Sequence, residues 1–268
     1  MTRTLQPAVA AYAQTLTRRS AAVPRALNAR IEAFTLIWAA VFIAISLPRL
    51  VSPATAPRGL FDALAVAVPY LLIALAPLAG HRLAAASFPS GIRTAQPGIR
   101  LSVYGRWRSL SVLDARANPS FGPAGFMASL LIGLLLNIPV RSVEFVVAMP
   151  AVSGNAPGWS QALFLLLAAD VVVMSFFYMV CFVMALRTVP LFPRMLLFAW
   201  VLDVTAQMII AREIGAMPGL PAQVALPLRE LLHGNIVKVM ISAFVWLPYL
   251  ILSERVNVTY RQRASAAA

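Results

Sequence analysis

Six long apolar runs constrain this chain more than any other feature, because each is long enough to cross a membrane. They lie at about residues 31–47, 60–79, 125–148, 159–187, 191–211 and 232–252. A spanning helix needs about 17–25 mostly apolar residues. In lipid every backbone N–H and C=O must be paired within the protein, which favours helices. The sequence therefore predicts an all-α fold, a polytopic transmembrane helical bundle of about six spans.

The composition agrees with a protein that is dissolved in lipid. Hydrophobic residues make up 60% of the chain and charged residues 12%, against about 45–50% and about 25% in soluble domains. This excludes an ordinary cytosolic enzyme, a disordered chain and a secreted disulfide scaffold. The chain has a single cysteine, Cys181, so no internal disulfide is possible.

Arginine is distributed unequally between the two ends of the predicted spans. The formal net charge is +13, and Lys238 is the only lysine. Sixteen arginines fall on the side of both termini, in segments 1–30, 81–123, 187–194 and 255–263, and five fall on the other side. Such a bias predicts that both termini are cytoplasmic. No polar domain is left to carry a nucleic-acid surface, so the arginines are expected to contact anionic lipid headgroups or a partner.

The longest connection, at 81–120, is rich in arginine and amphipathic. Apolar and polar residues alternate from Ile99 to Arg108, which suits a strand. A helix would instead group Ile99, Val103 and Trp107 on one face. Both interpretations place a basic segment at the membrane surface, and the sequence does not choose between them.

Ionisable residues inside the apolar runs are the candidate functional residues, because charges are costly at bilayer depth. Asp170, Asp203 and Lys238 lie inside spans, and Asn137 and Gln207 lie at similar heights. One interpretation is a polar cavity, open to the outer side, that contacts a proton, ion or ligand. The alternative is a set of interhelical ion pairs and hydrogen bonds that hold the bundle together. Counted from residue 232 at about 1.5 Å per residue, Lys238 lies about 9 Å deep.

Two further charges occur near a span end. Arg141 and Glu144 are three residues apart, so they are expected to pair along one helix face and to reach toward the interface.

Catalytic and metal-binding motifs are missing from the sequence. There is no Walker A loop, no HExxH, no CxxC and no GxSxG in a suitable context. His81 and His233 are expected at opposite membrane faces, and the methionines and aromatics of the fourth run suit packing better than haem ligation. We therefore predict no catalytic residues, no metal and no cofactor.

The end of the last span carries a motif. Trp246 and Tyr249 precede Ser253, Arg255 and Val256, and Thr259 and Tyr260 complete the pattern. This pattern resembles the C-terminal end of a family of small bacterial inner-membrane proteins of unknown function. The resemblance covers about residues 121–260 and implies a four-span core in the inner membrane, with no established activity. These residues suit a membrane-exit anchor or a tail that docks on a partner.

These observations give an expected organisation and function. A basic segment at 1–30 precedes a two-span addition at 31–80, the connector at 81–120, the four-span core at 121–260 and a tail at 261–268. The expected role is a non-catalytic accessory or scaffold subunit of a membrane complex. A small-solute or ion-coupled transporter is the alternative, and a lipid-modifying membrane enzyme is a weaker one.

Overall fold

Helices account for most of the computed structural model, which describes residues 22–89, 96–98 and 105–266. The elements in chain order are α1 (Ala22–Val51), α2 (Leu60–Ser87), β1 (Trp107–Ser109), α3 (Val112–Ala117), α4 (Phe126–Ala148), α5 (Gly158–Leu186), α6 (Phe192–Gly215), α7 (Ala222–Leu252), α8 (Glu254–Arg261) and β2 (Arg263–Ser265). Six of the helices are long and apolar enough to cross a membrane. The predicted all-α class and the six spans are confirmed.

The spans match the predicted runs closely in the middle of the chain and less well at its two ends. Helix α1 begins nine residues before its predicted start and α7 begins ten residues before its own. Pro227 lies inside α7, where the missing N–H removes one backbone bond and the neighbouring turns continue the helix. Helix α4 likewise continues through Pro139 to Ala148.

The predicted connector begins too early, because α2 continues to Ser87. Residues 1–21 and 99–104 lie outside the described residues. The basic N-terminal segment and most of the alternating stretch are therefore not described.

Helix α5 is the centre of the bundle. It packs against α2, α4 and α6, while α1 packs against α2 and α4, and α7 packs against α6. Met174 and Phe182 of α5 are completely buried among these neighbours. Helix α7 is the least enclosed span. This arrangement leaves an opening between α4 and α7, with α5 and α6 behind it.

A small cap covers the end of the bundle at which the described part of the chain begins and ends. Strands β1 and β2 pair antiparallel, with Trp107 opposite Ser265, and the Arg263 guanidinium lies 5.1 Å from the centre of the Trp107 rings. Of the alternating stretch from Ile99 to Arg108, Trp107 and Arg108 lie in strand β1. The strand pairs with a segment near the other end of the chain.

The residues of the C-terminal motif pack against the chain itself. Tyr260 is fully buried and its hydroxyl donates to the Ala185 carbonyl at 2.8 Å. The Thr259 hydroxyl accepts from the Gly122 N–H at 2.9 Å. Helix α8 therefore docks on the bundle directly after α7, so these two residues do more than mark the exit from the membrane.

Candidate functional site

A buried ion network lies inside the bundle, centred on Arg141 of α4. Its Nη1 donates to Asp170 Oδ2 of α5 at 3.0 Å, and its Nη2 lies 2.7 Å from both carboxylate oxygens of Asp203 of α6. The three side chains are 11%, 5% and 0% exposed. One guanidinium thus links two carboxylates from two other helices.

Tyrosine and amide side chains extend the network across the bundle. The Tyr178 hydroxyl donates to Asp203 Oδ2 at 2.8 Å, and the Asn235 amide of α7 donates to Gln207 Oε1 of α6 at 3.2 Å. Gln207 also lies beside Asp170. Polar side chains therefore connect all four helices from α4 to α7 at one level.

The buried aspartates and Arg141 depend on one another. A buried charge without a partner costs several kcal/mol, so breaking such a pair is strongly destabilising. The planar guanidinium fork can serve several carboxylate oxygens at once. The arrangement fixes the relative positions of α4, α5 and α6. It also places two carboxylates close enough to compete for one positive charge.

A second charged pair lies at the opening between α4 and α7. Lys238 Nζ is 2.7 Å from Glu144 Oε1, and the two side chains are 61% and 39% exposed. Lys238 is sixteen residues from the start of the 31-residue helix α7, and Glu144 is four residues before the end of α4 at Ala148. This pair is therefore a charged feature that faces outward from two of the long apolar helices.

The opening itself is a groove of about 240 Å³. Its walls come from α4 and α7, and its floor comes from Tyr178 of α5 and Trp200 of α6. Polar and charged side chains in its lining are Asn137, Arg141, Glu144, Asn235, Lys238 and Ser242. The buried network and the exposed ion pair thus meet in one lateral groove, which we call the α4–α7 groove.

The structure brings together part of the predicted polar set. Asp170, Asp203 and Gln207 lie in the buried network, whereas Lys238 and Asn137 line the groove and take no part in the aspartate contacts. Helix α7 begins ten residues before the position from which the depth of Lys238 was counted, and that depth stays a prediction.

One expectation for the third span is wrong, and one possible pair is not formed. Arg141 does not reach toward the interface, because it is buried against the aspartates, and it does not pair with Glu144, which contacts Lys238. Residues three apart share a face only approximately, so the two side chains diverge to different partners. Tyr178 was missed because a hydroxyl within a run of aromatic and methionine residues looks like a packing residue.

Among the described residues, no group of three or more His, Cys, Asp or Glu side chains could hold a metal ion. Comparison with family models, curated proteins and solved structures finds no match to this chain. The resemblance to the family of inner-membrane proteins stays a prediction.

Proposed function

We propose that the chain is a non-catalytic subunit of a membrane protein complex, and that a transmembrane helix of its partner packs into the α4–α7 groove. The observation that carries the proposal is the Lys238–Glu144 pair, which is exposed at the opening of the α4–α7 groove on two of the long apolar helices. Ionisable groups within spans usually face protein or water instead of lipid. A partner helix with a polar side chain at the same depth would enclose the pair and hydrogen-bond to it.

The packing of α7 supports this role. It packs against α6, and its side toward α4 lines the groove with Asn235, Lys238 and Ser242. In membranes helices associate through close packing and interhelical polar contacts. A span held along one side offers the other side to a second protein.

The expected orientation follows from arginine. We place both termini in the cytoplasm of a bacterial inner membrane, where anionic lipids would meet the basic segments. The cap formed by β1, β2 and α8 then faces the cytoplasm. A reporter fused to either terminus tests this orientation.

Site-specific photo-cross-linking tests the partner helix. A photoreactive residue replaces Ser242, which lines the groove, or Phe244, which lies two residues away on the same helix and faces outward. We expect a discrete protein adduct from position 242 in intact membranes and none from position 244. Lipid adducts alone from both positions, with a monomeric protein in mild detergent, would contradict the proposal.

An ion-coupled transporter is the second candidate, because Arg141 and Tyr178 belong to both the groove lining and the buried network. The aspartates are therefore one side chain away from the opening. Proton uptake into vesicles that contain the protein and an entrapped pH indicator tests this alternative. It predicts that Asp170→Asn abolishes uptake while the amount of folded protein is unchanged.

A further inference from the structure

A second cavity lies at the capped end of the bundle, away from the α4–α7 groove. It has a volume of about 310 Å³ and is formed by residues 96–97, the start of α6, the end of α7 and the end of α8. Arg194 and Arg261 provide the charged part of its lining, and Leu197, Leu247, Leu250 and Ile251 provide much of the apolar part. It is thus cationic on one side and apolar on the other.

Among the residues that the structure describes, neither arginine of this cavity forms an ion pair. The ion pairs found among the described residues all involve other side chains. Arg261 Nη1 donates to the Leu250 carbonyl at 2.7 Å and to Asn257 Oδ1 at 3.1 Å, which are uncharged acceptors. Burial lowers the pKa of Arg261 to about 10, and the charges of Arg263 and Arg194 act in the same direction. Positive charges that are held close together favour the binding of an anion.

The apolar residues follow the direction of the spans. Leu197 is one turn further into α6 than Arg194, and Leu247 is one turn further into α7 than Ile251. The cationic part therefore lies near the membrane surface, and the apolar part continues toward the bilayer interior. A molecule that fits both parts has an anionic head and a hydrocarbon tail.

We propose that this cavity binds an anionic phospholipid, with Arg194 and Arg261 contacting its phosphate and one acyl chain lying along Leu197 and Leu247. Guanidinium groups recognise phosphate oxygens through charge-assisted hydrogen bonds. Basic pockets between spans on the cytoplasmic side are suited to lipid headgroups. The inference rests on the protein's spanning a membrane, and it does not require a partner subunit.

Lipid binding by the full chain in detergent tests the site. Phosphatidylglycerol is titrated and its binding is followed by native mass spectrometry, with phosphatidylcholine and inorganic phosphate in parallel. The variants are Arg194→Gln and, as a control, Arg212→Gln, which removes an exposed arginine in the last turn of the same helix. We expect Arg194→Gln to weaken phosphatidylglycerol binding about tenfold, as for the loss of a hydrogen bond to a charged group, and Arg212→Gln to leave it unchanged.

Several outcomes would overturn the proposal. Equal binding by both variants would show that no specific contact is made by Arg194. Equal binding of phosphatidylcholine would show that headgroup charge is not recognised, and full displacement of the lipid by inorganic phosphate would assign the site to free phosphate. Arg194→Lys, which retains the charge, should recover part of the affinity if the variant protein is folded. Cross-linking at position 242 is independent of all these results.

Discussion

The two charged clusters of the α4–α7 region have similar chemistry and opposite surroundings. Arg141 is enclosed with Asp170 and Asp203 by α4, α5 and α6, whereas Lys238 and Glu144 meet across the mouth of the groove. Arg141 and Glu144 are separated by less than one helical turn of α4. A single helix therefore contributes one charge to the interior and one to the surface.

Because of this difference, we expect the two clusters to have different roles. An enclosed network contributes to the folded state of the chain itself, since each member would be an unpaired buried charge without the others. An exposed pair contributes little to folding, and under the proposed function its role is a contact with another molecule. Substitutions can test whether this division holds.

The largest expected effect is that of Arg141→Met. It leaves two buried aspartates without a cation, and we expect a loss of about 3–5 kcal/mol in the free energy of unfolding. Protein abundance in membranes and the thermal midpoint in detergent measure this loss. Arg82→Met is the matched control, because Arg82 forms an ion pair with Glu32 in which both side chains are more than half exposed. Similar losses in both variants would remove the distinction between enclosed and exposed pairs.

A smaller effect is expected from the two aspartates, and it should differ between them. Asp203 accepts from Arg141 through both oxygens and from Tyr178 as well, whereas Asp170 accepts through one oxygen. When both carboxylates are ionised, the two aspartates and Arg141 together carry a net negative charge. Asp170→Asn therefore also removes an excess buried charge. We expect Asp203→Asn to cost about 1.5–3 kcal/mol and Asp170→Asn clearly less.

Thermal unfolding of the two aspartate variants in the same detergent makes the comparison. Equal destabilisation would show that the number of hydrogen bonds does not set the contribution of each carboxylate. A stable Asp170→Asn protein is also the one needed for the uptake measurement, because loss of transport could then not be attributed to unfolding.

The sequence predicted the spans better than the contacts between them. Apolar runs are local, so the lipid solvent leaves few alternatives for residues such as those of α5. Asp170 and Asp203 were identified by the same argument, since charge inside a long apolar run is rare. Their common partner, Arg141, was missed because it lies near the end of an apolar run. At such a position an arginine can either be buried or reach the membrane interface, and the sequence does not distinguish the two.

The cap illustrates a second reason for incomplete prediction. Strand β1 pairs with a segment about 150 residues later in the chain, and no local sequence pattern predicts such a partner. The start of α7 shows a third reason. Prolines and glycines between α6 and α7 suggest a loop, whereas the structure has nearly three further turns of helix before residue 232.

The smallest expected effect on folding, and the most informative for the comparison, is that of Lys238→Met. The pair with Glu144 is largely exposed, so we expect the free energy of unfolding in detergent to change by no more than about 1 kcal/mol. Glu144 is left at the groove without its cation, and a partner helix would meet a changed charge there. We therefore expect the adduct from position 242 to weaken or disappear in this variant, while lipid binding at Arg194 is retained. If Lys238→Met instead strongly destabilised the protein, the exposed pair would contribute to folding as the enclosed network does. Its role would then lie within the fold, which would contradict the proposed difference.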